Sequence, residues 1–198
     1  MAYTRFDRFI AKQRFSAALP HIRDGSRVCD VGCGVDAAFL NFAAARIAEG
    51  WGVDDQVSPT ENSRWHLVKG NIQERLPFAI EQFDHVVMLA VLEHLKEPQF
   101  VLSECFRILA PGGSLILTWP SGVVDPFLHF LHTVGIVSDE MESGQHQKRL
   151  PIAELVPMLR DIGFGKIYHK KFELGLNNLL VAHRPEEVSG AHSESGAV

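Results

Sequence analysis

The run Arg27-Val28-Cys29-Asp30-Val31-Gly32-Cys33-Gly34-Val35-Asp36 restricts what this chain can fold into more than any other stretch. Val28, Cys29 and Val31 have the apolar density of a short buried strand. Glycines at Gly32 and Gly34 end it abruptly, and Ala37-Ala38-Phe39-Leu40 then resumes at helical spacing. Glycine permits positive φ and lets a ligand approach the main chain, while a following helix turns its N–H groups toward the bend. The stretch therefore predicts a ligand cradle at a strand tip.

A chain of 198 residues, 46% apolar and 22% charged, accommodates one globular domain with a sizeable core and leaves no room for a second. The net charge is −5, and no basic stripe interleaves with aromatic residues, which argues against a nucleic-acid partner. No apolar run is long enough to span a bilayer and the start lacks a signal-peptide core, so a cytoplasmic protein without a membrane span is expected. Cys29, Cys33 and Cys105 form no CxxC pair and read as small buried apolar residues, with no metal expected.

In chain order, Phe6, Phe9, Ile10 and Phe15 recur at helical spacing among arginines, predicting a helix packed on the domain. The helix behind the glycine turn is expected to use Phe39, Phe42 or Ala43, and Ile47, and to stop at Gly50. Trp51-Gly52-Val53-Asp54-Asp55 then forms a strand ending in acid. Asp54 lies 22 positions beyond Gly32 (54 − 32), the spacing at which a carboxylate reaches the ribose diol of an adenosine-containing cofactor. Paired aspartates after a strand also cap turns, which leaves both readings open here. Further strands at 66–68, 83–89 and 114–119 alternate with turns and helices, the helix before the last of them ending at Pro111-Gly112-Gly113. That alternation implies a parallel sheet whose ligands bind beyond the strands' carboxyl ends. Asp30, Gly32, Asp54, Asn71 and Leu89 all sit at such ends. Two strand-like runs joined by Gly175-Leu176 close the domain as a hairpin.

Val28 through Gly34, Gly52-Val53-Asp54, Gly70-Asn71-Ile72, Phe83-Asp84 through Leu92-Glu93-His94-Leu95 and Glu104 through Gly113 occur in the order seen in class I S-adenosylmethionine-dependent methyltransferases, and the whole resembles the small type 11 branch. The resemblance implies a single α/β Rossmann-like doubly wound domain, with a mostly parallel seven-stranded sheet and an antiparallel C-terminal strand. It implies S-adenosylmethionine as cofactor, S-adenosylhomocysteine as product and a small-molecule acceptor; the apolar run Phe127-Leu128-His129-Phe130-Leu131-His132, either buried or lining a pocket, adds the expectation of an acceptor with an apolar part. Backbone at Gly32, Cys33 and Gly34 would follow the methionine portion, with Asp30 holding the loop or the ammonium group. Asp54, with Asp55 beside it, would bind the ribose. Asn71 and Ile72 would border the adenine, and Leu89 and Ala90 would offer carbonyl oxygens to the ammonium. The chain departs from the pattern at Asp36, where a third glycine is common and where Asp could cap the helix, and at Asn71, where Asp is common.

A sulfonium leaves without protonation, so such an enzyme works mainly by orientation and water exclusion, and a base is needed only where the nucleophile must lose a proton. His94 is the first candidate base. His129, His146 and Arg149 are candidate substrate contacts; His129 and His132 share a helix face but lack a third metal ligand. The domain is expected over residues 1–184, with an N-terminal helix at 1–22, a substrate or lid insertion at 120–150 and a disordered tail at 185–198, as a monomer or homodimer. Two other functions fit parts of the pattern. Gly32 through Ala37 satisfies a loose dinucleotide signature, as in a nicotinamide-dependent oxidoreductase, and a non-catalytic cofactor-binding module would also keep the fold.

Overall fold

The computed structural model of the chain describes residues 5–61, 65–121 and 150–187. Its strands are β1 (Arg27–Val31), β2 (Glu49–Asp54), β3 (Thr60–Glu61), β4 (Trp65–Lys69), β5 (Phe83–Leu89), β6 (Leu109–Pro120), β7 (Ile167–Phe172) and β8 (Asn177–His183), and its α-helices are α1 (Arg5–Ala18), α2 (Ala38–Ala43), α3 (Pro98–Ile108) and α4 (Ile152–Ile162). The sheet order is β3-β4-β2-β1-β5-β6-β8-β7. Seven strands build the expected sheet; the two-residue β3 adds an antiparallel edge to β4. β4, β2, β1, β5 and β6 run parallel, and β8 lies antiparallel to both β6 and β7.

Side chains alternate across the sheet and divide the core into two layers. On one face Cys29, Val31, Val86 and Met88 pack with Val101, Leu102 and Cys105 of α3 and Leu155 and Leu159 of α4. On the other, Val28 and Val87 pack with Ala18 of α1 and Phe39, Leu40 and Ala43 of α2. Asp30 follows the parity of Val28 and so faces the α1–α2 layer. The strand order reverses between β1 and β5, each the start of an outward-growing half. That reversal opens a crevice beyond their carboxyl ends.

Several sequence expectations need correction. The helix after the glycine turn ends at Ala43, and Gly50 lies inside β2 rather than stopping a helix. A Cβ at Gly50 would meet Ile47 Cδ1 at 3.0 Å and Leu40 Cδ2 at 3.2 Å, so this glycine serves close packing of α2 on the strand. Asp36 caps nothing: the N-cap position belongs to Ala37, at φ 42, with no side-chain cap. β6 begins at Leu109, reaching back through Pro111-Gly112-Gly113, with an irregularity in its pairing to β5 between Phe83 and His85. Phe9, read as packed, is 54% exposed. All three cysteines are buried and free of disulfides. No helix among the described residues is long and apolar enough to cross a membrane.

Candidate functional site

The crevice has a volume of about 1140 Å³, more than a cofactor of nucleoside size alone requires. Its floor is the turn after β1. Gly32 sits at φ 80 and Gly34 at φ 66, both in the left-handed region, and for different reasons. A Cβ at Gly32 would lie 2.5 Å from Val91 Cγ2, whereas a Cβ at Gly34 would meet nothing within 4 Å among the described residues. Gly32 is bare so that the loop after β5 can close on it. Gly34 is bare toward the crevice.

The sequence suggested that the following helix turns its N–H groups to the bend; the amides of the bend itself are already engaged. The N–H groups of Gly32 and Cys33 both donate to Val53 O, at 2.8 and 3.3 Å, and that of Gly34 donates to Asp54 Oδ2 at 3.0 Å. The turn therefore offers bare surface and carbonyls, with its donors spent on fixing it to β2. α2, with six residues, is too short to add a dipole of consequence.

Asp54 is held at the tip of β2 from both sides. Oδ2 accepts the Gly34 N–H and Oδ1 accepts the Gln56 N–H at 2.9 Å, which fixes the rotamer and leaves one acceptor position on each oxygen. Asp54 and Asp55 both line the crevice. Asp30 is 2% exposed, yet its side chain borders the same hollow. Burial, aided by the charge of Asp54, pushes its carboxyl up to about 8. Burial likewise pushes the Cys33 thiol well above its ordinary range, so Cys33 acts as apolar lining rather than as a nucleophile.

Opposite this acidic wall lie Leu89, Ala90 and Val91. Ala90, at φ 60, turns the chain sharply at the tip of β5 while its N–H donates to Thr118 O at 2.8 Å. His94, in the short 3-10 turn Leu92–His94, is exposed and lines the crevice. Ile72 borders it as well.

Asn71 is not among the crevice-lining residues described. Its Oδ1 accepts the Gln73 N–H at 3.0 Å and its Nδ2 donates to Glu74 Oε1 at 2.9 Å, so its amide is spent on its own turn. His129, His146 and Arg149 lie outside the described residues. No cluster of metal-ligating side chains occurs among the described residues.

Sequence reasoning missed the contribution of α1, which presents Arg8, Ala11, Arg14 and Phe15 to the crevice. Arg14 donates from Nε to Asn177 Oδ1 at 3.3 Å. Burial lowers its guanidinium pKa, and the charges of Glu93 and Glu173 oppose that shift. The available signal was spacing: positions 8, 11 and 15 fall on one helical face.

A nucleoside carrying a positively charged amino-acid tail fits these residues. A carboxylate with spare acceptors suits a diol, a buried carboxyl with no hydrogen bond from a described residue suits a cation, and the backbone at Gly34 is open to close approach.

Residues 29–117 match the sequence model of the family described as "Methyltransferase domain". The chain is 30% identical over 154 residues to the ubiquinone biosynthesis O-methyltransferase of Psychrobacter arcticus, an alignment covering 71% of this chain and 59% of that protein. It spans about three-fifths of the length of the curated relatives first matched. Among solved structures it is similar to an S-adenosylmethionine-dependent methyltransferase from Archaeoglobus fulgidus, with TM-score 0.67 and 18% identity over 89% of this chain and 94% of that one. It is also similar to the [4+2]-cyclase SpnF, with TM-score 0.65 and 15% identity over 93% of this chain and 83% of that one. These two likenesses establish the backbone architecture, and their different reactions leave the chemistry to be argued from the site.

Proposed function

Because the chain belongs to the class I S-adenosylmethionine-dependent methyltransferases of the type 11 branch, we propose that it transfers a methyl group from S-adenosylmethionine to a hydroxyl of a small-molecule acceptor with an apolar part. The observation that carries the reading is the fixed carboxylate of Asp54 beside the bare backbone of Gly34, on the wall of the same crevice as Asp30. The hydroxyl as acceptor atom rests on the O-methyltransferase named among the relatives.

When bound, the cofactor supplies a methyl group on a sulfonium that departs as a neutral thioether. The chain's own residues bind and orient. Asp54 accepts from the ribose diol, with Asp55 at the rim. The backbone from Gly32 to Gly34, including Cys33, lies along the methionine portion. Asp30 and the carbonyls of Leu89 and Ala90 face its ammonium group. Ile72 packs beside the adenine, whereas Asn71, bonded within its own turn, reaches the ring only by giving up those bonds. Arg14 gives the acidic wall a positive counterpart. The apolar lining from Phe15, Phe39 and Val91 excludes water around the transferring group. His94, at the crevice beside the acceptor's approach, takes the hydroxyl proton as general base. His129, His146 and Arg149 remain candidate acceptor contacts.

A nicotinamide oxidoreductase would share the glycine turn, but the family assignment and the terminal antiparallel pair favour methyl transfer. Calorimetric titration with S-adenosylhomocysteine tests the reading. The full chain is expected to bind, and Asp54→Ala to weaken binding about a hundredfold, from two charge-assisted hydrogen bonds at ~1.5 kcal/mol each. Titration with NADH provides the contrast: binding of NADH and of neither methyl-cofactor form would overturn the proposal. Incubation with labelled S-adenosylmethionine and hydroxylated aromatic acceptors then reads the transfer itself.

A further inference from the structure

Asn177 opens β8, three places from β1 in the sheet, and is not among the described residues that line the crevice. Its buried amide is nonetheless committed on both sides. Oδ1 accepts from Arg14 Nε at 3.3 Å, and Nδ2 donates to Glu173 Oε2. A guanidinium only donates and a carboxylate only accepts, so the amide can stand in one orientation alone. The three side chains form a directed chain that runs from the terminal hairpin to Arg14, which does line the crevice.

Glu173 is held in place at a cost. Glu173 and Leu174 take φ 51 and φ 56 ahead of Gly175 at φ 88, a left-handed backbone that residues other than glycine seldom adopt. Leu174 is wholly exposed, so no packing of its side chain explains the bend. The second oxygen of Glu173, Oε1, is buried without a hydrogen bond among the described residues. What the bend does achieve is to bring a carboxylate against the Asn177 amide.

An arginine side chain turns about several bonds, and ordering it on binding costs affinity unless the protein has ordered it beforehand. At Arg14 both ends are fixed. The next residue along α1, Phe15, packs edge-on against Phe39 with ring centroids 5.5 Å apart, and Nε is tied to Asn177. Nη1 and Nη2 are left to meet a ligand, and neither bonds another described residue. A planar pair of N–H donors matches the two oxygens of a carboxylate. Resting on the methyltransferase reading, we propose that Asn177 and Glu173 are positioning residues of the crevice: through their bonded chain they hold Arg14 in the pose in which its terminal nitrogens receive a carboxylate. That group belongs to the amino-acid tail of the cofactor or to the acceptor, and the recognition chemistry is the same for both.

The test reads a preference, because a ratio of affinities cancels any general loosening of the fold. Calorimetric titration of the full chain compares S-adenosylhomocysteine with its decarboxylated form, S-adenosyl-3-thiopropylamine, which keeps the ammonium group. A second pair, benzoate and benzamide, is titrated into the chain saturated with S-adenosylhomocysteine and reads the acceptor's place. Wild type is expected to prefer the carboxylate in at least one pair, and the pair that shows it names the source. Asn177→Ala should cut that preference about tenfold, the cost of ordering a freed side chain on binding, and Glu173→Ala, which removes only the far anchor, about threefold. Asn177→Asp combined with Glu173→Gln keeps an acceptor for Arg14 and the net charge, with the new amide donating to the new carboxylate, and should restore the preference to within about twofold of wild type. Wild type without either preference, N177A that keeps it, or a folded paired variant in which it stays low would overturn the proposal. Should N177A fail to fold, E173A decides by the same ratio, and an unmoved ratio overturns the idea. If neither nucleoside ligand binds wild type, the functional reading and this inference fall together, whereas binding with a preference that the variants leave unmoved removes the inference alone.

Discussion

The two ends of the parallel strands treat polar groups in opposite ways. At the amino end, Asp84 accepts the Arg27 backbone N–H at 2.8 Å and the guanidinium through Nε at 3.2 Å and Nη2 at 2.9 Å. One residue on, His85 Nε2 accepts the Arg23 N–H at 3.1 Å, which places its proton on Nδ1 to donate to Ser114 Oγ at 2.7 Å. Burial, with Arg23 adding to it, pushes that imidazole down to about 4, so it is neutral at physiological pH. At the carboxyl end, no described residue donates to the Asp30 carboxyl and no described atom stands within 4 Å of a Cβ at Gly34. Ala37 and Ala90 hold left-handed backbone that a non-glycine residue adopts at a cost of about 1 kcal/mol or more. One end is closed on itself; the other is built incomplete. Stability is invested where polar groups are paired, and function is read where they are left waiting.

The largest expected effect follows from the sign of that difference. Asp30 binds its proton more tightly folded than unfolded, so its contribution to stability is whole below about pH 4 and is lost as pH rises toward 8. The total lost is at most about 6 kcal/mol, by ~1.4 kcal/mol for each unit between the unfolded value and the folded one. Asp30→Asn should therefore match wild type at pH 4 and melt higher at pH 8. Denaturant unfolding across that range checks this, and parallel curves would show that the acid is compensated after all. Asp84→Ala should do the reverse. Losing the partner of three donors in a partly exposed pair, with Glu49 the remaining acid acting on Arg27, should cost about 2 kcal/mol at pH 7. Its affinity for S-adenosylhomocysteine should stay within about twofold of wild type, since Asp84 touches no part of the crevice. A D84A protein that unfolds no more readily would erase the contrast between the two ends.

Much of this arrangement was legible before any coordinates. Asp30, Gly32, Asp54, Asn71 and Leu89 were placed at strand tips by periodicity and turn residues, and the structure brings all of them but Asn71 to one hollow, where Gly34, Ile72 and Ala90, named through the resemblance, and His94, the candidate base, also lie. Their convergence was readable because a parallel sheet sends every carboxyl end to the same side. What failed was local competition. Asn71 was given an outward task, yet an asparagine at a turn bonds its own backbone two residues on, and Asn71 does so to Gln73. Donors were expected from the following helix, but that helix is only six residues long, and the parallel register of β1 with β2 brings Val53 O to the amides of Gly32 and Cys33. The share of α1 in the crevice was readable only as a shared face at positions 8, 11 and 15, because periodicity groups residues on a helix without saying what they cover. Left-handed backbone at Ala37 and Ala90 leaves no trace in residue type at all.

The smallest effect tests the incomplete end most directly. Gly34→Ala adds one methyl group where no described residue stands within 4 Å, so none of them needs to move. The folded state bears only the left-handed strain at φ 66, about 1 kcal/mol. The N–H to Asp54 survives, and with it the geometry of the carboxylate. Whatever further loss appears must come from the ligand, which finds a methyl group where it had bare backbone. S-adenosylhomocysteine should bind about tenfold more weakly, a loss of ~1.4 kcal/mol, while the melting temperature falls by only a few degrees. Unchanged affinity would mean that no ligand approaches Gly34 closely, and that its glycine answers the backbone angle alone. The carboxyl end of β1 would then be as closed as the amino end, and the distinction between them would rest on Asp30 by itself.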